Sequence, residues 1–325
     1  MRVLQLMAGC AAVVLLAGCG GGGGVDNIEQ TLSSETAQGY AADSQAMPLA
    51  ASTTVQTATR ALESALAAQS GTTPSGPSGP SALAALTLSC ANGGTLSFSV
   101  SGGTVAQHLN GLLDAGETYQ LTFNNCAGPA LDDNGVLDGS LALVVTAYSP
   151  TQADLTHTAN AMRLTNTQGR YTLQGGVREQ RSSTATGGGG QRLASHLTSS
   201  GLALQGVVAG RSSSYELRSL DWTVICTLDV SGLLVQRTHQ GALTLAASTP
   251  RRPNATLQVA TQGTLVASDN GLYAAQGSFS LATNHDRIFV VYGSTTVMLE
   301  LDLGNNGSID RRWTLPRLSF DAEAG

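Results

Sequence analysis

LDWTVICTLDV, residues 220–230, carries an apolar side chain at every second position: Leu220, Trp222, Val224, Cys226, Leu228 and Val230. Successive side chains of a strand point to opposite faces. Six such positions in strict alternation therefore put one face on a core and the other in water. The pattern repeats along the chain. Leu96, Phe98 and Val100 alternate, as do Leu121 and Phe123, and Leu141, Leu143, Val145 and Ala147. Tyr171, Leu173 and Val177 alternate around Gly175, and Val297, Leu299, Leu301 and Leu303 repeat the pattern near the end.

Turn signals separate these runs: Asn92-Gly93-Gly94, Asn134-Gly135, Gln168-Gly169, Asn270-Gly271 and Asn306-Gly307. Asn-Gly supplies the positive φ angles that tight hairpins demand. Gly187 to Gly190 reads as a long hairpin loop or a small interruption. About 12 to 14 strands joined by short turns predict a mainly β fold, a wide antiparallel meander rather than βαβ units. A sheet this wide must curl, close or split, so a curved half-barrel, a barrel and a sandwich all fit. Gly139-Ser-Leu-Ala-Leu, Gly241-Ala-Leu-Thr-Leu and Gly277-Ser-Phe-Ser-Leu form a short internal similarity, each opening a strand.

Before the strands the character differs. Residues 27–51 are polar and Ala-rich with weak periodicity, and read as partly helical or disordered. Thr53 to Ser70 reads as one N-terminal helix, with Val55, Leu62 and Leu66 near helical spacing and Ala58 and Ala65 beside them. Its narrow stripe calls for a partner surface. Gly71 to Ser81 (GTTPSGPSGPS) reads as a linker.

At the N-terminus, Arg2 precedes an apolar run from Val3 to Leu16, then Leu16-Ala17-Gly18-Cys19 and five glycines, Gly20 to Gly24. The run is short for a bilayer span, which needs about 20 residues. Leu16 to Cys19 resembles the lipobox of bacterial lipoproteins. The resemblance implies cleavage before Cys19, lipidation of its thiol and acylation of the new amino terminus. Several acyl chains anchor firmly where one binds only marginally. Gly20 in place of Asp leans the implied location towards the outer membrane of a Gram-negative bacterium. The organisation expected is a signal peptide over 1–18, an anchor with tether, helical segment and linker over 19–82, and a β domain over 83–325.

All 16 basic residues are Arg, against 22 acidic residues, for a net charge of −6. With no Lys, a P-loop lysine, a Schiff-base lysine and a Ser-Lys dyad are excluded. A mildly acidic chain without basic clusters does not look like a nucleic-acid binder. The implied envelope location permits disulfides, and Cys90 and Cys126 each end a strand. Their pairing is the favoured reading, with three reduced core thiols as the alternative; Cys226, in the apolar phase of its strand, reads as a buried thiol. No CxxC or Cys/His cluster suggests a metal or cofactor.

The five histidines, His108, His157, His196, His239 and His285, fit no ligand spacing, and GxSxG is absent. His285-Asp286 is the least poor catalytic fragment. Two acidic turns resemble degenerate calcium loops. One offers Asp302, Asn306 and Asp310 but Gly304 and Trp313 where further oxygens belong; the other runs from His108 to Glu117. Calcium takes 6–8 oxygens, so hairpin turns with Asx chemistry are the simpler reading. Cys90 to Ser140 also looks like the uncharacterised β-rich lipoproteins of proteobacteria, through Cys90-Ala-Asn-Gly93-Gly94, Asn110 to Glu117 and Asn124-Asn125-Cys126. That resemblance bears on location and fold and implies no activity.

The expected function is a non-enzymatic binding or structural role on the membrane, with a lipid or other apolar molecule held on a curved sheet and the helix as a plug. The competing classes are a secreted hydrolase with a spatially assembled site and a surface adhesin.

Overall fold

The computed structural model describes residues 33–69, 86–104, 107–108, 110–127, 135–166, 169–208, 211–250, 252–267 and 274–321. Cys19 with its flanking residues, the linker Gly71 to Ser81, and the Asn134 and Asn270-Gly271 turn positions lie outside the described residues.

Among the described residues a long helix, α1 (Ser34–Gln69), precedes fifteen strands. The first are β1 (Leu86–Ser89), β2 (Thr95–Gly102), β3 (Glu117–Ala127), β4 (Val136–Tyr148) and β5 (Gln152–Asn166). The central ones are β6 (Gly169–Ala185), β7 (Gln191–Val208), β8 (Arg211–Leu228), β9 (Leu234–Thr249) and β10 (Arg252–Thr261). The last are β11 (Leu265–Ala267), β12 (Ala274–Ala282), β13 (Arg287–Tyr292), β14 (Thr296–Asp302) and β15 (Arg311–Pro316), followed by α2 (Arg317–Asp321). The strands form one antiparallel meander in chain order, with only the three-residue β11 off the path, pairing with β9 and β12. The expected meander is therefore observed, as an open sheet in which β1 and β15 are the two edges. Strands reach 18 residues in β7 and β8 and shrink to 4 in β1 and 6 in β15, which keeps the exposed edges short.

Residues 220–230 behave as their alternation predicts up to the strand end. Leu220, Trp222, Val224, Cys226 and Leu228 face the core, whereas Val230 lies past β8 in the hairpin turn, 72% exposed. The outward positions carry Thr, Gln, Ser and ion pairs such as Arg178–Asp154 and Arg163–Asp138. That is the reverse of a lipid-facing barrel, whose apolar side chains point out.

The glycines of the internal similarity lie inside strands, Gly139 in β4, Gly241 in β9 and Gly277 in β12, instead of opening them, and there they let the sheet curl. Each of the three glycines sits where its neighbour presses close. A Cβ at Gly139 would lie 2.4 Å from the carbonyl oxygen of Ala161, and one at Gly241 would lie 2.1 Å from that of Asp221. Gly139 has φ 107° and faces Ala161, itself at φ 51°, where the β4–β5 register shifts. Extra residues of this kind bend a strand and increase its twist. A second shift after Val145 turns Ala147, expected inside, to the outer face.

The sheet wraps around α1. Ser33 caps its start: Thr36 N–H donates to Ser33 Oγ at 3.3 Å, and Ser33 N–H donates to Thr36 Oγ1 at 2.9 Å. Every residue from Gly39 to Thr59 is buried, on all sides of the helix, and nine of these side chains are polar or charged. The helix thus begins well before Thr53. Residues 34–51, which read as partly helical or disordered, are regular helix, because their Ala-rich composition favours it and the sheet encloses them. Most of their polar groups are answered locally and by the wall, while the Ser44 and Thr57 hydroxyls have no hydrogen-bond partner among the described residues. Thr54 and Thr59 hydroxyls donate to the carbonyls of Ala50 and Val55. Tyr40 donates to the Pro253 carbonyl, Tyr292 to Gln45, and Arg252 to Asp43. The stripe expected at Val55, Ala58, Leu62, Ala65 and Leu66 is buried. The helix and the sheet belong to one compact unit.

Cys90, just past β1, is disulfide-bonded to Cys126 of β3, with Cα atoms 5.4 Å apart and a sequence separation of 36. The bond ties the short edge strand β1 to the sheet interior. On the loop-entropy model a closure of this length stabilises by about 3–4 kcal/mol. The double variant Cys90→Ala, Cys126→Ala is expected to lose that amount in urea unfolding, with wild type under reductant behaving alike. Equal stability of oxidised wild type and variant would count against a structural role for the bond.

Candidate functional site

The C-terminal turns of α1 meet the inner wall of β4 to β8, and most of the chain's unusual chemistry lies there. Arg181 of β6 grips the carboxylate of Glu63 on α1, and the Tyr148 hydroxyl donates to the same carboxylate at 3.5 Å. One layer deeper, Glu179 accepts from the Ser195 hydroxyl and pairs with His157 Nε2 at 3.1 Å. Burial pushes the Glu179 carboxyl up, but His157, Arg181 and Ser195 outweigh it and hold the group below its usual range. Burial likewise pushes down the Arg181 guanidinium, and Glu63 and Glu179 reverse the shift to a net rise. Burial raises the Tyr148 hydroxyl, with Glu63 adding to the effect.

His157, Glu179 and Ser195 are a histidine, an acid and a serine within hydrogen-bond reach, the combination a hydrolase would need. Their order is wrong for nucleophile activation. The carboxylate stands between the serine and the histidine, whereas a triad needs the imidazole against the hydroxyl. All three are also sealed, at 0%, 0% and 4% exposure, so no substrate carbonyl reaches Ser195. The arrangement is a buried, hydrogen-bonded polar cluster that links β5, β6 and β7.

Two cavities flank this end of α1. One, of about 310 Å³, is lined by Ala61, Ala65 and Ala68 of the helix, by Leu88, Leu96 and Leu137 of the sheet, and by the Cys90–Cys126 disulfide. The other, of about 210 Å³, is polar and is lined by Arg60, Glu63, Tyr148, Gln152, Arg181 and Gln191.

The other residues singled out in the sequence have different places. Cys226 is buried, outside the disulfide and within electrostatic reach of Arg60. Asp302 is 1% exposed, and its two carboxylate oxygens accept the backbone N–H groups of Asn306 and Gly307 at 2.9 Å each. Asp310 accepts from Leu303 N–H at 2.7 Å, and Asn306 Oδ1 from Ser308 N–H at 2.8 Å. These contacts are those of Asx turns, in which backbone N–H groups face the carboxylates. In the second acidic turn Glu117 is buried, accepting from Asp114 N–H at 2.9 Å and from Tyr119 hydroxyl, and burial raises its pKa. Among the described residues no group of three or more His, Cys, Asp or Glu is arranged to hold a metal ion. His285 Nδ1 lies 2.7 Å from Asp286 in a turn that Asp286 further braces by accepting from Gly304 N–H.

Sequence reasoning misses Arg60, Glu63, Glu179 and Arg181, because they come together only when the sheet closes on the helix. The one available signal is a charged residue standing in the inward phase of a strand, as Glu179 does between Val177 and Arg181. No protein-family model matches the chain, and no curated protein or solved structure is similar to it.

Proposed function

We propose that the chain is a lipid-anchored envelope protein, acylated at Cys19 and carried on the outer membrane of a Gram-negative bacterium, with a non-enzymatic binding role. The observation that carries the binding part is the apolar cavity of about 310 Å³ between α1 and the first strands. It falls at the small end of the range for ligand sites. Its walls are methyl and methylene groups of Ala, Leu and the cystine, with Thr57, Ser64 and Ser89 as the hydroxyls. Such a site favours an alkyl chain, each buried methylene contributing about 0.8 kcal/mol. The wider version, in which the whole concave face holds a lipid, is not supported, since α1 occupies that face from Gly39 to Thr59. The anchor reading rests on Leu16 to Cys19 and is consistent with the polar outward face, which gives the sheet no means of entering a bilayer.

Two measurements test this reading. Palmitate labelling and membrane fractionation should follow the thiol, so Cys19→Ser is expected to lose the label and leave the membrane fraction. A labelled, membrane-bound Cys19→Ser protein overturns the anchor. For the cavity, purified protein is titrated with the fluorescent fatty acid cis-parinaric acid. Saturable binding is expected, weakened about tenfold or more by Ala65→Phe, which fills the space. No saturable binding to wild type removes the binding role.

A further inference from the structure

We infer that the polar cleft between α1 and the β4–β5 and β6–β7 hairpins is a binding site for a small polar carboxylate, received by Arg60. Arg60 lines this cavity of about 210 Å³. Among the described residues its guanidinium has no hydrogen-bond or ion-pair partner. A half-buried guanidinium normally keeps one, because its five donors lose water on entering the fold. Its natural partner would be Glu63, three residues on along the helix. That carboxylate is already taken by Arg181 and Tyr148. The other nearby acid, Glu179, is engaged by His157 and Ser195 and is sealed from the cleft. Among the described residues, Arg60 is thus the one cation at this end of α1 whose donors remain open to an incoming acceptor. Burial lowers its pKa, with Arg181 adding to the shift against the opposing pull of Cys226, Glu63 and Glu179, and an arriving anion would relieve that cost.

The charge and size of the site narrow the ligand. Glu63 and Glu179 stand within electrostatic reach of Arg60, so a dianion such as phosphate meets repulsion where a single carboxylate meets a planar fork of matching geometry. The remaining walls offer hydroxyls and amides, from Thr151, Gln152, Ser183 and Gln191, which suit a ligand body bearing hydroxyl or amide groups. The cavity is smaller than sites for drug-sized molecules, which begin near 300 Å³. A hydroxy acid or sugar acid fits these terms.

The experiment is calorimetric titration of the full-length protein with D-glucuronate and with L-lactate, with D-glucose and inorganic phosphate as comparisons. Saturable binding of at least one carboxylate is expected, with glucose and phosphate weaker by about tenfold or more. Arg60→Gln should weaken the carboxylate by about tenfold or more, as loss of a charge-assisted bidentate contact does. Ligand-free Arg60→Gln should melt at the wild-type temperature or above it, because the side chain makes no bond that holds the fold. Binding that is absent for both carboxylates, or unchanged in Arg60→Gln, overturns the inference. So does a lowered melting temperature of the ligand-free variant with binding retained. Ala65→Phe leaves this binding intact, which separates the site from the apolar cavity.

Discussion

Asp43→Ala lowers the unfolding free energy by about 3–5 kcal/mol, the cost of leaving one member of a buried ion pair alone. Asp43 is fully buried on α1 and pairs with Arg252 at 2.8 Å across a sequence separation of 209. The Arg252 side chain is 7% exposed and its guanidinium also lies 5.2 Å from the centre of the Tyr40 ring. Gly39 gives it room: a Cβ there would come within 2.1 Å of Arg252 Nη1. Without the carboxylate this cation has no water to turn to. Removing both charges is a different matter, since two apolar groups of similar volume carry no desolvation cost. Asp43→Leu with Arg252→Met should recover most of the loss. Urea unfolding of both single variants and the double closes the cycle. A single-variant loss below about 1 kcal/mol would mean that the pair is solvated and not core.

His239→Leu should remove an acid sensitivity of about 2 kcal/mol between pH 8 and pH 5. His239 is 1% exposed on the inner face of β9, its ring 5.6 Å from Trp222. Burial first, and the positive Arg237 second, lower its pKa from 6.5 to about 3. The unfolded chain therefore takes up a proton as pH falls through 6.5, while the folded chain stays neutral until about pH 3. The unfolded state binds more protons in that window, so stability is full above pH 6.5 and falls by about 1.4 kcal/mol per unit as the pH drops below it. Other groups cancel when wild type and variant are compared at each pH. The wild-type-minus-variant difference should be flat above pH 7 and slope below 6.5. A difference independent of pH from 8 to 5 would mean that His239 titrates normally.

The sheet is legible in the sequence because one face of each strand is apolar and the other is Thr, Gln and Ser, so alternation survives even where bulges shift its phase. Residues 34–51 are not legible, because periodicity detects a helix with one wet side and this helix has none from Gly39 to Thr59. Its polar groups are answered by partners such as Arg252 and Tyr292, which no local window contains. The same reason hides the candidate site. Glu63 and Arg181 are 118 residues apart and meet only through the curl that Gly139 and Gly241 permit. The cystine is legible because each cysteine stands at the end of a recognisable strand.

A helix enclosed by later strands also sets an order of events during synthesis. α1 leaves the ribosome before the strands, and its partners Pro253, Tyr292 and Ser319 follow 213, 247 and 281 residues after the residues they bind. Contacts of such high sequence separation form slowly, and in the interval apolar segments invite aggregation. A helix built of Leu and Ile would wait in that state as a sticky rod. One built of Ala, Ser, Thr and Gln waits as a soluble one, and becomes core only when the last strands arrive to enclose it.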